Sequence, residues 1–155
     1  MRAPWRNPAH RRQQTGRRVL RPPRIPRERR IHAAVLLSFD PATLLVLPEK
    51  GPVLGSYDSA VELIGETFLT PITTVAIPAG RLDPAFFVLS TGVAGEFVQK
   101  FVNYKRRLAI VGDISAQVAA SDALRDWIYE SNRRSDLWFV TDLSQLEDRL
   151  AALAG

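Results

Sequence analysis

The chain of 155 residues contains no cysteine, one methionine and only two histidines. Without cysteine it forms no disulfide bond and no thiolate metal site, and it has no thiol nucleophile. Both histidines, His10 and His32, precede the first strand that the hydrophobic pattern predicts. A Ser-His-Asp triad or a histidine-bound metal in the folded body is therefore not expected. We predict no catalytic residues, no metal and no cofactor.

Signatures of membrane insertion, export and nucleotide binding are also missing. No apolar run approaches the roughly eighteen residues of a membrane span. Residues 33–39 follow two arginines as in an export signal, but this run is short, ends at Asp40 and Pro41, and lacks an Ala-x-Ala cleavage site. Neither a Walker lysine loop nor a Gly-x-Gly-x-x-Gly motif occurs. We therefore expect a cytoplasmic protein without a membrane partner.

The first thirty residues carry most of the positive charge. Residues 1–30 hold eleven arginines against one acid, Glu28, which gives a net charge of +10. Five prolines interrupt this segment, so it neither buries a core nor sustains a helix, and we predict a disordered tail. The tail is a nucleic-acid or acidic-partner arm, a targeting peptide, or an extension translated from an upstream start. Its composition is not typical of a transit peptide, and we favour the extension.

The remainder of the chain is acidic. Residues 31–155 hold ten lysines and arginines against fifteen acids, a net charge of −5. A nucleic-acid-binding domain needs a basic face to neutralise phosphates, so we expect nucleic-acid affinity only through the tail. The 46% of apolar residues in the whole chain is ample for the core of one domain. The body therefore reads as a single globular domain with a protein partner or a small anion as its ligand.

From residue 43 onward, short apolar runs alternate four times with helical patterns. The runs at 44–47, 73–78, 108–111 and 137–140 predict buried strands, and helices are predicted at 59–68, 92–104, 121–132 and from 142. Ser59 and Glu62 fit a capping box at the first helix. Residues 31–42 are a connecting segment or an edge strand. The alternation predicts one α/β domain over residues 43–155, with a mainly parallel sheet of about four strands and right-handed crossovers.

Polar residues follow each predicted strand. In a parallel sheet the carboxyl ends of the strands meet at one edge, where helix amino ends and their free N–H groups favour a carboxylate or phosphate. An ordinary helix cap, which contributes about 1 kcal/mol, explains each Ser, Thr or Asp equally well. The residues that we expect near this rim are Arg81, Asp83, Ser90, Thr91, Asp113, Ser115, Asp142 and Ser144.

The predicted helix at 92–104 has two distinct faces. A spacing of about 100° per residue collects its larger apolar side chains on one half, which we expect to be buried. The opposite stripe is either a solvated surface or a recognition face. The residues of this polar stripe are Gly92, Glu96, Gln99 and Asn103.

Four motifs occur in order along the body. They are TGVAGE at residues 91–96, QKFVNY at 99–104, LAIVGD at 108–113 and SDALRDWIYESN at 121–132. With them the chain resembles a small bacterial family known as domain of unknown function 4180, over about residues 44–150. This resemblance implies no activity, and the tail lies outside it.

The predicted architecture is also similar to that of STAS domains, the anti-sigma-factor-antagonist type, whose second strand ends in an Asp-Ser-Ser-Gly-like turn. Residues 89–92, Leu-Ser-Thr-Gly, fall at that turn. Thr91 matches the STAS phosphoacceptor, and Leu89 replaces the preceding acid. The resemblance implies a non-enzymatic regulatory module that binds a protein through the Thr91 helix start and its rim.

An alternative is a small-molecule or anion sensor, or an unrecognised enzyme, that uses the same rim. Arg81, Thr91 and Asp113 would then hold the ligand. A deep, closed pocket at the rim favours this alternative, whereas a flat or convex surface favours protein binding.

Overall fold

A computed structural model describes residues 39–154, with the side chain of the last of these excepted. The predictions for the tail at 1–30 and for most of the connecting segment at 31–42 lie outside the described residues. Phe39, the last residue of the possible edge strand, is buried and belongs to no strand.

Four short strands form one sheet. They are β1 (Leu44–Val46), β2 (Thr74–Pro78), β3 (Arg107–Val111) and β4 (Leu137–Val140). The strands pair in the order β1-β2-β3-β4, and every pair is parallel. The predicted α/β class is confirmed, and the sheet is parallel throughout.

Five helices accompany these strands: α1 (Tyr57–Glu66), α2 (Val93–Asn103), α3 (Ser115–Ala119), α4 (Asp122–Asn132) and α5 (Leu143–Ala154). The sequence pattern did not predict α3. The capping box at Ser59 was wrong, because α1 begins at Tyr57 and Ser56 Oγ accepts a hydrogen bond from Ser59 N–H at 3.1 Å. Between residues 39 and 154, no helix is long and apolar enough to cross a membrane.

The helices divide between the two faces of the sheet. Adjacent parallel strands require right-handed crossovers, which place α1, α2 and α4 together on one face. Side chains of α5, including Leu146 and Leu150, pack on the other face against Ala109 and Trp138. Both faces of the strands are therefore buried, and this explains their nearly continuous apolar sequences.

Three phenylalanines form the centre of the larger core. Phe97 and Phe101 lie on the inner side of α2, and their ring centroids are 5.2 Å apart. Phe86, from the connection between β2 and α2, packs edge-to-face on Phe97 at 6.0 Å. Leu82, Phe86 and Phe87 are all buried and anchor this connection to the core.

The outer edge of β4 is closed by one side chain. Asn132, at the end of α4, donates from Nδ2 to Phe139 O at 3.2 Å and accepts from Phe139 N–H at 2.7 Å. These two bonds replace those of a neighbouring strand at that position. An unpaired strand edge is a template for further pairing, so Asn132 protects β4 against it there.

Arg81 joins the two connections that follow β1 and β2. Its side chain is 8% exposed, and its guanidinium donates from Nε and Nη2 to Pro52 O and from Nη1 to Pro48 O, at 3.0–3.2 Å. Leu54 reinforces the junction with backbone bonds to Arg81 O and from Asp83 N–H. Burial lowers the pKa of the Arg81 guanidinium from its ordinary value. We call this arrangement the Arg81 clamp.

Gly51 provides a test of the Arg81 clamp. A Cβ atom at residue 51 would lie 2.6 Å from Arg81 Cζ, so Gly51→Ala must displace the guanidinium from its carbonyl partners. We expect a loss of about 1–3 kcal/mol in the free energy of unfolding, measured by urea denaturation. Gly80→Ala is the matched control, because nothing lies within 4 Å of its added methyl group. Equal stabilities for the two variants would contradict the clamp.

The phenylalanine cluster supplies a second prediction. Phe97→Ala should lower the free energy of unfolding by about 3–5 kcal/mol, because the side chain is fully buried and its removal leaves a cavity. Phe68→Ala, at a side chain that is 48% exposed, should cost much less. Thermal and urea unfolding of both variants would measure the difference. A mild effect at residue 97 would mean that the core closes around the cavity.

Candidate functional site

The carboxyl-terminal edge of the sheet is where the sequence predicts a binding rim. The loops after β2 and β3 touch there, because a Cβ atom on Gly112 would lie 3.2 Å from Ala79 Cβ. A side chain at residue 112 would press on Ala79, and Gly112 also has a positive φ of 144°. These two loops therefore pack against each other without an intervening cleft at that point.

Acidic side chains at the rim bond within their own loops. Asp83 Oδ1 accepts from Ala85 N–H at 2.8 Å, Asp113 Oδ1 from Ser115 N–H at 2.9 Å, and Asp142 Oδ1 from Gln145 N–H at 2.9 Å. All three carboxylates start a helix or a helical turn. Each carboxylate thus accepts a backbone N–H bond near the start of the element that follows it. Among the described residues, no hydrogen bond links the carboxylate of one loop to that of another.

Local hydrogen bonds favour the charged form of Asp113. The hydrogen bond from the Ser115 backbone N–H, followed by one from its hydroxyl group, lowers the pKa of the Asp113 carboxyl group from its ordinary value. Both groups are exposed, and Ser115 is the first residue of α3. This part of the rim therefore presents a carboxylate, which disfavours an anionic ligand beside it.

Thr91 closes the turn that leads into α2. Its Oγ1 lies 2.8 Å from both Ala85 O and Val88 O, and it accepts from Val93 N–H at 3.2 Å. The following Gly92 adopts a left-handed conformation with φ 80°, which glycine reaches without steric cost. The Thr91 hydroxyl group therefore both donates and accepts a hydrogen bond. Arg81 does not contribute to this turn, because its guanidinium donates to Pro48 O and Pro52 O.

The polar stripe of α2 faces outward. Glu96, Gln99 and Asn103 are exposed, and Gln99 Nε2 donates to Asn103 Oδ1 at 2.8 Å. On the opposite side Phe97 and Phe101 are fully buried. The two faces of this helix match the prediction from the sequence.

An open groove lies beside the Thr91 turn, with a volume of about 460 Å³. One wall comes from the connection between β2 and α2, where Val88 is 51% exposed, and the other from the junction of α3 and α4. We call it the Val88 groove. It is lined by Pro84, Phe87, Val88, Leu89, Ser90, Gln117, Ala120, Ser121 and Ala123, none of which carries a charge.

Only Ser90 of the predicted rim residues lines the Val88 groove. The α3–α4 wall was missed because α3 was not predicted and because alanines carry no chemical signature. The run of small residues before the helix cap Ser121 was the one available signal, since small side chains leave space between packed elements.

The chemistry of these residues limits what the Val88 groove can hold. Its apolar walls and uncharged hydroxyl and amide groups suit an apolar side chain or a neutral molecule better than an anion. Among residues 39–154, no three His, Cys, Asp or Glu side chains are arranged to hold a metal ion. The groove is open to solvent, so it lacks the enclosure typical of a small-molecule site.

Comparison with known proteins identifies the family alone. No curated protein and no solved structure matches the chain. The family model described as a domain of unknown function (DUF4180) matches residues 40–150, which contain all four strands, the Arg81 clamp and the Val88 groove. This match covers most of the sequence, and the chain therefore belongs to the DUF4180 family.

Proposed function

We propose that this protein is a non-enzymatic, STAS-like regulatory module that binds a protein partner through the start of α2 and the Val88 groove. The observation that carries the proposal is the open, uncharged groove beside the Thr91 turn. A partner would insert an apolar side chain between Val88 and the alanines of the α3–α4 junction.

The exposure of Val88 supports the proposal of a protein partner. Half of this apolar side chain faces solvent beside the groove, although its neighbours Phe86 and Phe87 are buried. Each square ångström of apolar surface removed from water contributes about 25 cal/mol. Covering Val88 and the groove walls with a partner side chain would therefore favour association without any charged contact.

The polar surface next to the groove would provide the rim of the interface. Ser90 lines the groove, and the outward stripe of α2 with Glu96 and Gln99 follows the same turn along the chain. An apolar centre with a polar surround is the usual composition of transient protein interfaces. In this arrangement Thr91 shapes the turn through its bonds to Ala85 and Val88.

The order of strands and helices in the body supports the STAS analogy, which remains one of architecture. Phosphorylation of Thr91 would require its hydroxyl group to leave two carbonyl oxygens that lie 2.8 Å away. The alternative, a sensor or enzyme using Arg81, Thr91 and Asp113, lacks support from geometry, since each of these side chains bonds within a different local arrangement.

Filling the groove tests the proposed interface. Ala120 lines the groove and is exposed, so Ala120→Arg should leave the fold intact and block an incoming side chain. Ala119→Arg is the matched control at an exposed neighbour outside the lining. We expect quantitative mass spectrometry to find a protein that wild type and Ala119→Arg capture in similar amounts. The amount of this protein captured by Ala120→Arg should be at least tenfold lower. Identical captured proteins for all three baits would contradict the proposal.

Thr91 supplies a separate prediction. Thr91→Ala removes the hydroxyl group that lies 2.8 Å from Ala85 O and Val88 O and accepts from Val93 N–H, and it should lower the free energy of unfolding by about 1 kcal/mol in urea denaturation. Ser90→Ala, which alters an exposed neighbouring hydroxyl group, should change it by less than about 0.5 kcal/mol. A Thr91→Ala variant with unchanged stability and abolished partner capture would instead assign the hydroxyl group a direct role in binding or modification.

A further inference from the structure

The opposite, amino-terminal edge of the sheet carries three consecutive cations. Lys105 and Arg106 belong to the connection between α2 and β3, Arg107 is the first residue of β3, and all three line a cleft of about 240 Å³. The cleft is completed by Thr73, Val102, Ser135 and Asp136. This concentration of positive charge contrasts with the body as a whole, which holds ten basic against fifteen acidic residues.

Lys105 occupies a backbone position that glycine normally takes. Its φ is 59°, its N–H donates to Val102 O at 3.0 Å, and the N–H of Arg106 donates to Phe101 O at 2.9 Å. These bonds form a Schellman motif at the end of α2, in which the left-handed residue is usually glycine because a Cβ atom is unfavourable there. A lysine in this conformation has a conformational cost that its side chain does not recover through any described contact.

Neutral groups hold the two arginines. Arg106 donates from Nε to Thr67 Oγ1 and from Nη1 to Tyr104 O, both at 2.8 Å. Arg107 donates from Nε to Ser135 O at 2.7 Å and from Nη1 to Thr74 Oγ1 at 3.0 Å. These bonds fix the orientation of both guanidinium groups. Among the described residues, neither Nη2 donates a hydrogen bond.

The positive charges of the cleft are only partly balanced by its own acidic residue. No carboxylate between residues 39 and 154 forms an ion pair with Lys105, Arg106 or Arg107. The one acid of the cleft, Asp136, pairs with Arg134 at 3.3 Å. Burial lowers the pKa of the Arg107 guanidinium, and the charge of Asp136 opposes that shift. The cleft therefore combines oriented donors, hydroxyl groups and a net positive charge, which are the features that recognise an oxyanion.

We propose that this cleft binds the phosphate group of a small anionic ligand. The Lys105 ammonium group would supply a mobile charge, and the free Nη2 groups of Arg106 and Arg107 would donate to separate phosphate oxygens. A phosphate monoester carries close to two negative charges at neutral pH, which matches the excess of cations. This site lies at the edge of the sheet opposite the proposed protein interface and does not depend on it.

The test separates the charge of Lys105 from its backbone conformation. Lys105→Gly removes the ammonium group but permits the left-handed conformation, so the melting temperature should stay equal or rise. Titration of the full chain with inorganic pyrophosphate, followed by two-dimensional NMR at constant ionic strength, should shift the wild-type amide signals of Thr73, Ser135 and residues 105–107. Resolving these amides distinguishes the cleft from the arginine-rich tail. We expect at least a tenfold weaker affinity at these signals in Lys105→Gly.

Two variants control the experiment. Leu69 is the other non-glycine residue with a left-handed backbone in the described chain, with φ 64°, and Leu69→Gly should keep the affinity while relieving the same conformational cost. Lys50→Ala removes an exposed lysine elsewhere and should also keep it. Equal pyrophosphate affinity in Lys105→Gly and wild type would overturn the proposal. The proposal would also be overturned if sodium chloride at matched ionic strength shifted the same amide signals equally, because the shifts would then report charge screening only.

Discussion

The sheet depends on one constraint, the parallel pairing of strands that are consecutive in sequence. After each strand the chain must return to the edge where that strand began before the next strand can start. Right-handed crossovers then place α1, α2 and α4 on one face. The other face would be exposed without α5, which buries it through Leu146 and Leu150. The same constraint separates the connections into two sets at opposite edges.

At the carboxyl-terminal edge, polar groups serve mainly to hold the connections. Arg81 satisfies carbonyl oxygens of the loop after β1, and Asp83, Asp113 and Asp142 cap the elements that follow them. Each of these polar side chains therefore bonds within or between the connections themselves. Space remains instead at the Val88 groove, where alanines of the α3–α4 junction face the connection between β2 and α2.

At the amino-terminal edge, the connection from α2 to β3 contains Lys105 and Arg106, and Arg107 begins the strand, so three consecutive cations lie at this edge. The two edges consequently offer different chemistry, one an uncharged groove and the other a cationic cleft.

Hydrophobic periodicity by itself determined the number of strands, their positions along the chain and the buried face of α2, because these follow from which side chains avoid water. Local signals did not distinguish Ser56 from Ser59 as the cap of α1, since both residues are suitable and packing selects one. Tertiary structure alone decided the partners of Arg81, because its carbonyl acceptors at Pro48 and Pro52 lie far away in sequence. It also decided the Val88 groove, because a groove is the space left between segments whose distance no single stretch of sequence encodes.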